Sequence, residues 1–310
     1  MPVTAGNEIR ATDFNDLSVL VSGTLGNGVG QYGYGQTVLS PTVVPGENIL
    51  KAHFDAVRFD IMSVLIHQTG VIPSPVIAQV TDPILSTASA PFKSYTDLIQ
   101  TARADRFTVA PSQATKTKIN GSGGSGVGYT ERYTATWENS LQMTLTATFA
   151  DANEARYFFN SGGRYIFNTT RTGGSSTSQN NSWTNTLTSA GEQEIGAATP
   201  TVNIYNLTNS YQTWYTLASS TPYSANNYKL EAKCNVADNS AGGASVFDFR
   251  ITLTDDYTDD PQPGPLPDDE VNGNLDITIY EQKASGTLQP NLDPFAITAP
   301  SYTVSTITGS

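Results

Sequence analysis

The chain has 310 residues, with 16 basic and 28 acidic side chains and a formal net charge of −12. Its single cysteine, Cys234, excludes an internal disulfide and a cysteine-based zinc site. The acidic balance argues against nucleic acid as a partner, because phosphate binding requires clustered Lys and Arg. The first residues, MPVTAGNEIR, lack the basic start and apolar run of a signal peptide. Since no apolar stretch approaches ~20 residues, we expect no membrane insertion.

The first third of the chain predicts helices. Apolar residues recur three and four apart at 11–21 and 51–67, with a weaker pattern at 94–106. Thr12 is a plausible N-cap for the first helix, and Gly70 is a plausible terminator of the second.

These first two helices belong to an internal repeat, in which 5–21 aligns with 45–61 at a constant offset of 40 residues. Two copies are too few for a solenoid, so we expect a packed helix pair. We hypothesise that such a pair cannot bury its apolar stripes alone and acts as a docking or oligomerisation module. The predicted assembly interface consists of the stripe residues Phe14, Leu17, Val21, Phe54, Val57 and Ile61.

Two glycine-rich segments divide the chain. Six of the fourteen residues at 23–36 are glycine. The interleaved Tyr32 and Tyr34 favour an ordered loop whose tyrosines pack against other residues. The second segment, 119–128, is predicted to be a linker or long hairpin loop. Both contain a G-x-G-x-x-G match, but neither follows a strand and opens a helix, as a dinucleotide site requires. We therefore expect no nucleotide and no other cofactor.

Beyond the second glycine segment the apolar period changes to two, as in LQMTLTATF at 141–149, which predicts half-buried strands. Two short helices, at 151–163 and 181–191, are predicted between the strands. The fold class is therefore α+β: an N-terminal helical repeat pair followed by a mostly antiparallel β-sandwich. The predicted division is a helix-rich docking region at 1–118, a linker at 119–128 and a β-sandwich-like domain at 129–310.

The acidic charge is concentrated in the second half of the chain. Residues 1–171 have 12 basic and 13 acidic side chains, whereas residues 172–310 have 4 and 15. The neutral half suits subunit packing, because burying charge is costly, and the acidic half suits exposure to water. Oxygen ligands in the acidic stretch at 255–270 are of the type that Ca²⁺ prefers, although the spacing is not that of an EF-hand. The Ca²⁺ candidates are Asp255, Asp256, Asp259 and Asp260.

Catalytic patterns are weak throughout the sequence. His53 and His67 are fourteen residues apart, so on one helix they stand about 21 Å apart and cannot share a metal or a proton. Neither a G-x-S-x-G elbow nor an H-E-x-x-H motif occurs. Carboxylate pairs could serve a glycoside hydrolase, and the aromatic residues could stack on sugars. We favour the simpler interpretation that the aromatic residues form the core and the carboxylates lie on the surface. We expect no enzymatic activity and assign no catalytic residue.

Several segments in order along the chain resemble virion structural proteins of marine cyanobacterial tailed phages. The resemblance implies a tail, neck or fibre component of a contractile-tailed phage, assembled in the host cytoplasm into the virion. No catalytic residue is carried over from it. The segments are GNEIRATDFNDL, LGNGVGQYGYGQTV, HQTG, ARYFFNSGGRYIF, TRTGGSSTSQNNSWTNTLTSAG, YNLTNSYQTWY and ASGTLQP.

Three functions follow as expectations. The first is a structural, tail-associated subunit of a fibre, baseplate or neck, whose partners are copies of itself and other virion proteins. The second is a module that binds a host-surface glycan, and the third is a glycan depolymerase. Residues 125–310 lack long strand repeats, which are typical of extended trimeric fibres. A compact adaptor or decorating subunit is therefore predicted at least as strongly as a needle-like fibre.

Overall fold

A computed structural model describes residues 9–71, 89–110, 114–119, 130–198, 202–257, 270–284 and 297–309. These residues form two compact units. The helical unit comprises the described residues of 1–115, 152–163 and 283–299. The β unit comprises those of 116–151, 164–282 and 300–310. The predicted linker lies outside the described residues, apart from Ile119.

The helical unit contains four helices: α1 (Ala11–Leu25), α2 (Lys51–Thr69), α3 (Ser89–Ala104) and α4 (Ala152–Asn160). The two repeat copies meet at Phe14 and Phe54, whose rings pack edge to face with centroids 5.4 Å apart. Tyr95 and Ile99 of α3 complete this core and are fully buried. Burial of such large apolar side chains is the main stabilising contribution in a unit of this size.

The ends of the first two helices follow from local chemistry. Gly70 ends α2 in the left-handed conformation, with φ of 76°, which confirms its predicted role. The predicted N-cap of α1 is wrong, because Arg10 occupies that position and Thr12 lies inside the first turn. The Arg10 backbone N–H donates to the Asp13 carboxylate at 3.1 Å. An acidic residue in the first turn thus gives the backbone N–H at the helix start a hydrogen-bond partner.

The packing also corrects the predicted assembly interface. Phe14, Leu17, Val21, Phe54, Val57 and Ile61 are all at most 1% exposed, inside the core of one chain. Helix α3 covers the apolar stripes of α1 and α2, so these stripes are not available to a partner.

The β unit contains two sheets, whose strands are β1 (Ala114–Lys118), β2 (Thr130–Tyr133), β3 (Ser140–Thr148), β4 (Arg164–Thr172), β5 (Glu192–Gly196), β6 (Gln212–Ala218), β7 (Asn227–Cys234), β8 (Val246–Thr254), β9 (Asn274–Ala284), β10 (Ser301–Val304) and β11 (Thr308–Gly309). One sheet has the order β1–β9–β4–β5, with β2 also paired to β9. The other has the order β10–β3–β8–β7–β6, with β11 also paired to β3. The helix α5 (Ser178–Ala190) lies between β4 and β5 in the chain, and a short 3₁₀ helix spans Ile204–Asn206.

Alternate residues of the strands face a core between the two sheets. Tyr165 and Phe167 of β4 pack on Phe249 of β8, with ring centroids 5.0 and 5.7 Å apart. Tyr228 of β7 and Thr169 of β4 share a buried hydrogen bond of 3.0 Å. The α+β class with a β-sandwich-like arrangement is thus confirmed.

The compact units do not follow the predicted division of the chain. Residues 152–163 lie in the sequence between β3 and β4 but group with the helical unit. Their polar contacts, described below, show the physical reason for this grouping.

Candidate functional site

The glycine-rich segment forms an ordered loop at the end of α1. The backbone N–H groups of Tyr34, Gly35 and Gln36 donate to carbonyls of 24–26, over 2.8 to 3.0 Å. Gly35 has a φ of 70°, and a Cβ atom there would lie 2.4 Å from the Tyr157 ring of α4. A side chain at this position is therefore excluded both by backbone conformation and by contact. The ordered loop that Tyr32 and Tyr34 predict is confirmed.

Helix α4 clamps this loop through two buried polar side chains. The Asn160 amide donates to the carbonyls of Gly30, Tyr32 and Gly33, at 3.2, 2.9 and 2.9 Å. The Arg156 guanidinium donates to the carbonyls of Asn27 and Tyr32, at 2.7 and 3.3 Å. Loop carbonyls that would otherwise lack partners are thus satisfied by one short helix.

A second set of contacts fixes the base of the loop. The Tyr34 hydroxyl donates to the carbonyl of Arg106 at 2.6 Å and accepts from the Gln68 amide at 2.9 Å. The His67 ring lies 5.1 Å from the Tyr34 ring, and its Nε2 donates to the carbonyl of Ser161 at 3.0 Å. Burial lowers the pKa of His67 to about 4, so the imidazole is neutral near pH 7.

The two histidines therefore have separate roles, as their spacing predicts. His53 accepts a hydrogen bond from the Leu50 backbone at 3.3 Å, at the start of α2. His67 bonds to the end of α4 at the other end of the same helix.

Tyr32 of the loop, Arg103 of α3 and Arg106 are half-buried and lie together in a group that we call the cationic platform. The Arg103 guanidinium lies 4.1 Å from the centre of the Tyr32 ring, and that of Arg106 lies 4.7 Å from it. Arg106 also donates to the Gln31 backbone at 2.6 Å and to its side chain at 3.2 Å. The Arg103 guanidinium, as hydrogen-bond donor and as positive charge, lowers the pKa of the Tyr32 hydroxyl. Within the described part of the chain, neither arginine has an ion-pair partner.

A strap segment, residues 39–44, lies along α1 and α2. The buried Asp60 carboxylate accepts from the backbone N–H groups of Leu39 and Ser40 at 3.0 and 2.7 Å. On α1, the Asn15 amide exchanges two hydrogen bonds of 2.9 Å with the Val43 backbone. These bonds hold the backbone in place while the Leu39 side chain remains 54% exposed.

Exposed large hydrophobic residues are confined to the helical unit in the part of the chain that the structure describes. The described β unit has none with comparable exposure. The exposed residues are Val19, Val29, Leu39, Val44, Leu50, Phe59 and Val71, at 42 to 74% exposure.

The structure places the Ca²⁺ candidates in unlike environments. The Asp255 carboxylate is buried, and the Gln179 amide nitrogen lies 2.8 and 2.7 Å from its two oxygens. Burial raises the pKa of Asp255 to about 6, against the effect of these donors. Asp256 is exposed, while Asp259 and Asp260 lie outside the described residues. Because N–H donors already face Asp255, its oxygens are not arranged for a cation.

The β unit also contains an open pocket of about 410 Å³. Its lining combines two carboxylates, three hydroxyls, an amide and two aromatic rings. The lining residues are Tyr133, Thr136, Trp137, Glu138, Asn139, Ser140, Glu270 and Gly309. The volume lies within the usual range for small-ligand sites.

Two features are absent from the described residues. They contain no group of three or more His, Cys, Asp or Glu side chains that could hold a metal. They also contain no helix that is both long and apolar enough to cross a membrane. Comparisons with protein families, curated proteins and solved structures give no match for this chain.

Replacing the clamp residue should release the glycine loop. N160D places a carboxylate against three carbonyl oxygens, so we expect the free energy of unfolding to fall by about 3 kcal/mol or more. Hydrogen exchange at the Tyr34, Gly35 and Gln36 amides should accelerate with it. The matched control is N153D, because Asn153 accepts from Arg156 at 2.8 Å and a carboxylate keeps that role. Equal exchange rates in N160D and the native protein would contradict the clamp.

Burial of His67 should make the protein sensitive to acid. The folded pKa of His67, about 4, lies below its ordinary value of 6.5. The contribution of neutral His67 to the free energy of unfolding is therefore complete above pH 6.5 and is lost as the pH falls towards 4. In H67Q this loss should disappear. Urea unfolding of both proteins from pH 7 to pH 4.5 measures the difference, which should shrink with acidification. Parallel curves would show that His67 does not titrate in this way.

Proposed function

We propose that this protein is a structural, tail-associated subunit of a tailed-phage virion, from a fibre, baseplate or neck, that acts by assembly rather than by catalysis. The observation that carries the assembly role is the confinement of exposed large hydrophobic residues to the helical unit. The virion setting rests on the sequence resemblance. Partners are further copies of the chain and other virion proteins.

The strap segment supports this role. Exposed apolar side chains are common when scattered, but grouped ones mark interaction surfaces. Here Leu39 and Val44 project from a backbone that Asn15, Ser18 and Asp60 hold against two helices. A partner would thus meet apolar side chains whose positions are already fixed, which lowers the entropic cost of association.

The two units also differ in charge. The segments of the helical unit have 8 basic and 11 acidic residues, whereas those of the β unit have 8 and 17. A net charge of −9 favours exposure of the β unit to water and disfavours burial of like surfaces against each other.

Self-association of the purified protein tests the assembly role. We expect sedimentation velocity to show oligomers that increase with concentration. The double variant L39S/V44S should weaken them by about tenfold or more, because two anchoring apolar contacts are lost. The control V71S removes an equally exposed side chain beyond the end of α2. A native protein that stays monomeric, or is missing from purified particles by mass spectrometry, would overturn the proposal.

A second candidate function, binding of a host-surface glycan, is favoured by the polar pocket of the β unit. Its hydroxyl, amide and carboxylate groups suit a polyhydroxylated ligand, and Tyr133 supplies an aromatic ring at its edge. A glycan array should then show ligands retained by the native protein and lost in Y133A. The control Y223A alters a tyrosine that pairs with Tyr257 away from the pocket lining. An array without retained ligands would remove this candidate, and sugar release from a retained glycan would instead indicate a depolymerase.

A further inference from the structure

The cationic platform of Tyr32, Arg103 and Arg106 places two positive charges beside one aromatic ring of the glycine loop. Its two guanidinium groups lie over one aromatic ring and lack ion-pair partners among the described residues. The whole chain has only 16 basic residues against 28 acidic ones. Arg156 and Arg171 also lack a described carboxylate partner, but they are buried, whereas Arg103 and Arg106 are half-buried and share one aromatic ring.

The platform is also built to be rigid. Arg106 is held through its side chain by Gln31 and through its carbonyl by Tyr34. The carbonyl of Tyr32 accepts from Asn160 and Arg156 of α4. A rigid surface loses little conformational entropy when a partner binds.

Its composition is typical of a protein-binding hot spot. Tyrosine and arginine are enriched at such positions, where an aromatic ring supplies contact area and a guanidinium binds carboxylates in a defined geometry. Val29, three residues before Tyr32 in the same loop, is 74% exposed and offers an apolar group. The ligand that suits this surface is a protein face that combines carboxylates with apolar groups.

We propose that the cationic platform binds the acidic β unit of a second copy of this chain. The net charge of −9 on the β unit provides the complementary charge. An interface between unlike surfaces of identical chains is head-to-tail, so it generates a ring or a filament rather than a simple twofold dimer. This inference rests on the proposed assembly function and specifies the contact that carries it.

Charge reversal at Arg103 provides the first test, because Arg103 is bound less extensively by its own chain than Arg106. R103E should weaken self-association by about tenfold or more, whereas R103K, which keeps the positive charge, should retain part of it. Self-association of the native protein should also fall from about 0.05 to about 0.5 M NaCl, since salt screens the attraction. The control R10E makes the same charge change at an exposed arginine of the same unit. Circular dichroism should show that each variant keeps the native secondary structure and unfolds cooperatively.

A zero-length carbodiimide cross-link identifies the partner surface. It joins an amine to a carboxylate, so R103K supplies the reactive amine at the platform. In a mixture of unlabelled and ¹⁵N-labelled R103K, mass spectrometry should find cross-links between unlike chains, from position 103 to carboxylates of the β unit. Cross-links only within one chain, or only to carboxylates of the helical unit, would overturn the inference.

The possible failures are distinguishable. A monomeric native protein overturns both the assembly function and the platform contact. Oligomers that dissociate in L39S/V44S but persist in R103E and in high salt overturn the platform contact alone.

Discussion

The clamp of α4 on the glycine loop is the contact that holds this loop and its surface groups in place. Asn160 and Arg156 are separated from their loop partners by more than 120 residues. The helical unit is therefore complete only when the chain beyond β3 has been added to it. A loop rich in glycine has a high conformational entropy when free, and this clamp removes that freedom.

Fixing the loop has consequences at the surface. With its carbonyls bound by α4, the loop holds Tyr32 against two arginines and leaves Val29 exposed. The strap segment follows the same principle, because the buried Asp60 holds the backbone while Leu39 points outward. In both places buried polar side chains position groups that the chain itself leaves uncovered, which is the physical basis for the assembly role we propose.

The sequence predicts the local elements well and the long-range contacts poorly. Helical periodicity and Gly70 locate α2, and the period-two pattern locates β3, because both signals are local. The pairing of Asn160 with loop carbonyls leaves no periodic signal, since one polar residue near a helix end is equally compatible with a cap or a solvated side chain. The same holds for Arg103, whose pairing with Tyr32 depends on the fold. Helical periodicity also predicts the stripe of Phe14 and Phe54, but it does not predict that α3 covers this stripe.

A reconstruction of the assembled protein by cryo-electron microscopy tests the central claim most directly. It should show the Tyr32 ring and the Arg103 guanidinium against a carboxylate-bearing face of the β unit of a neighbouring copy. It should also show the strap segment covered by protein. A reconstruction in which the platform faces solvent and the strap segment is bare would contradict the claim.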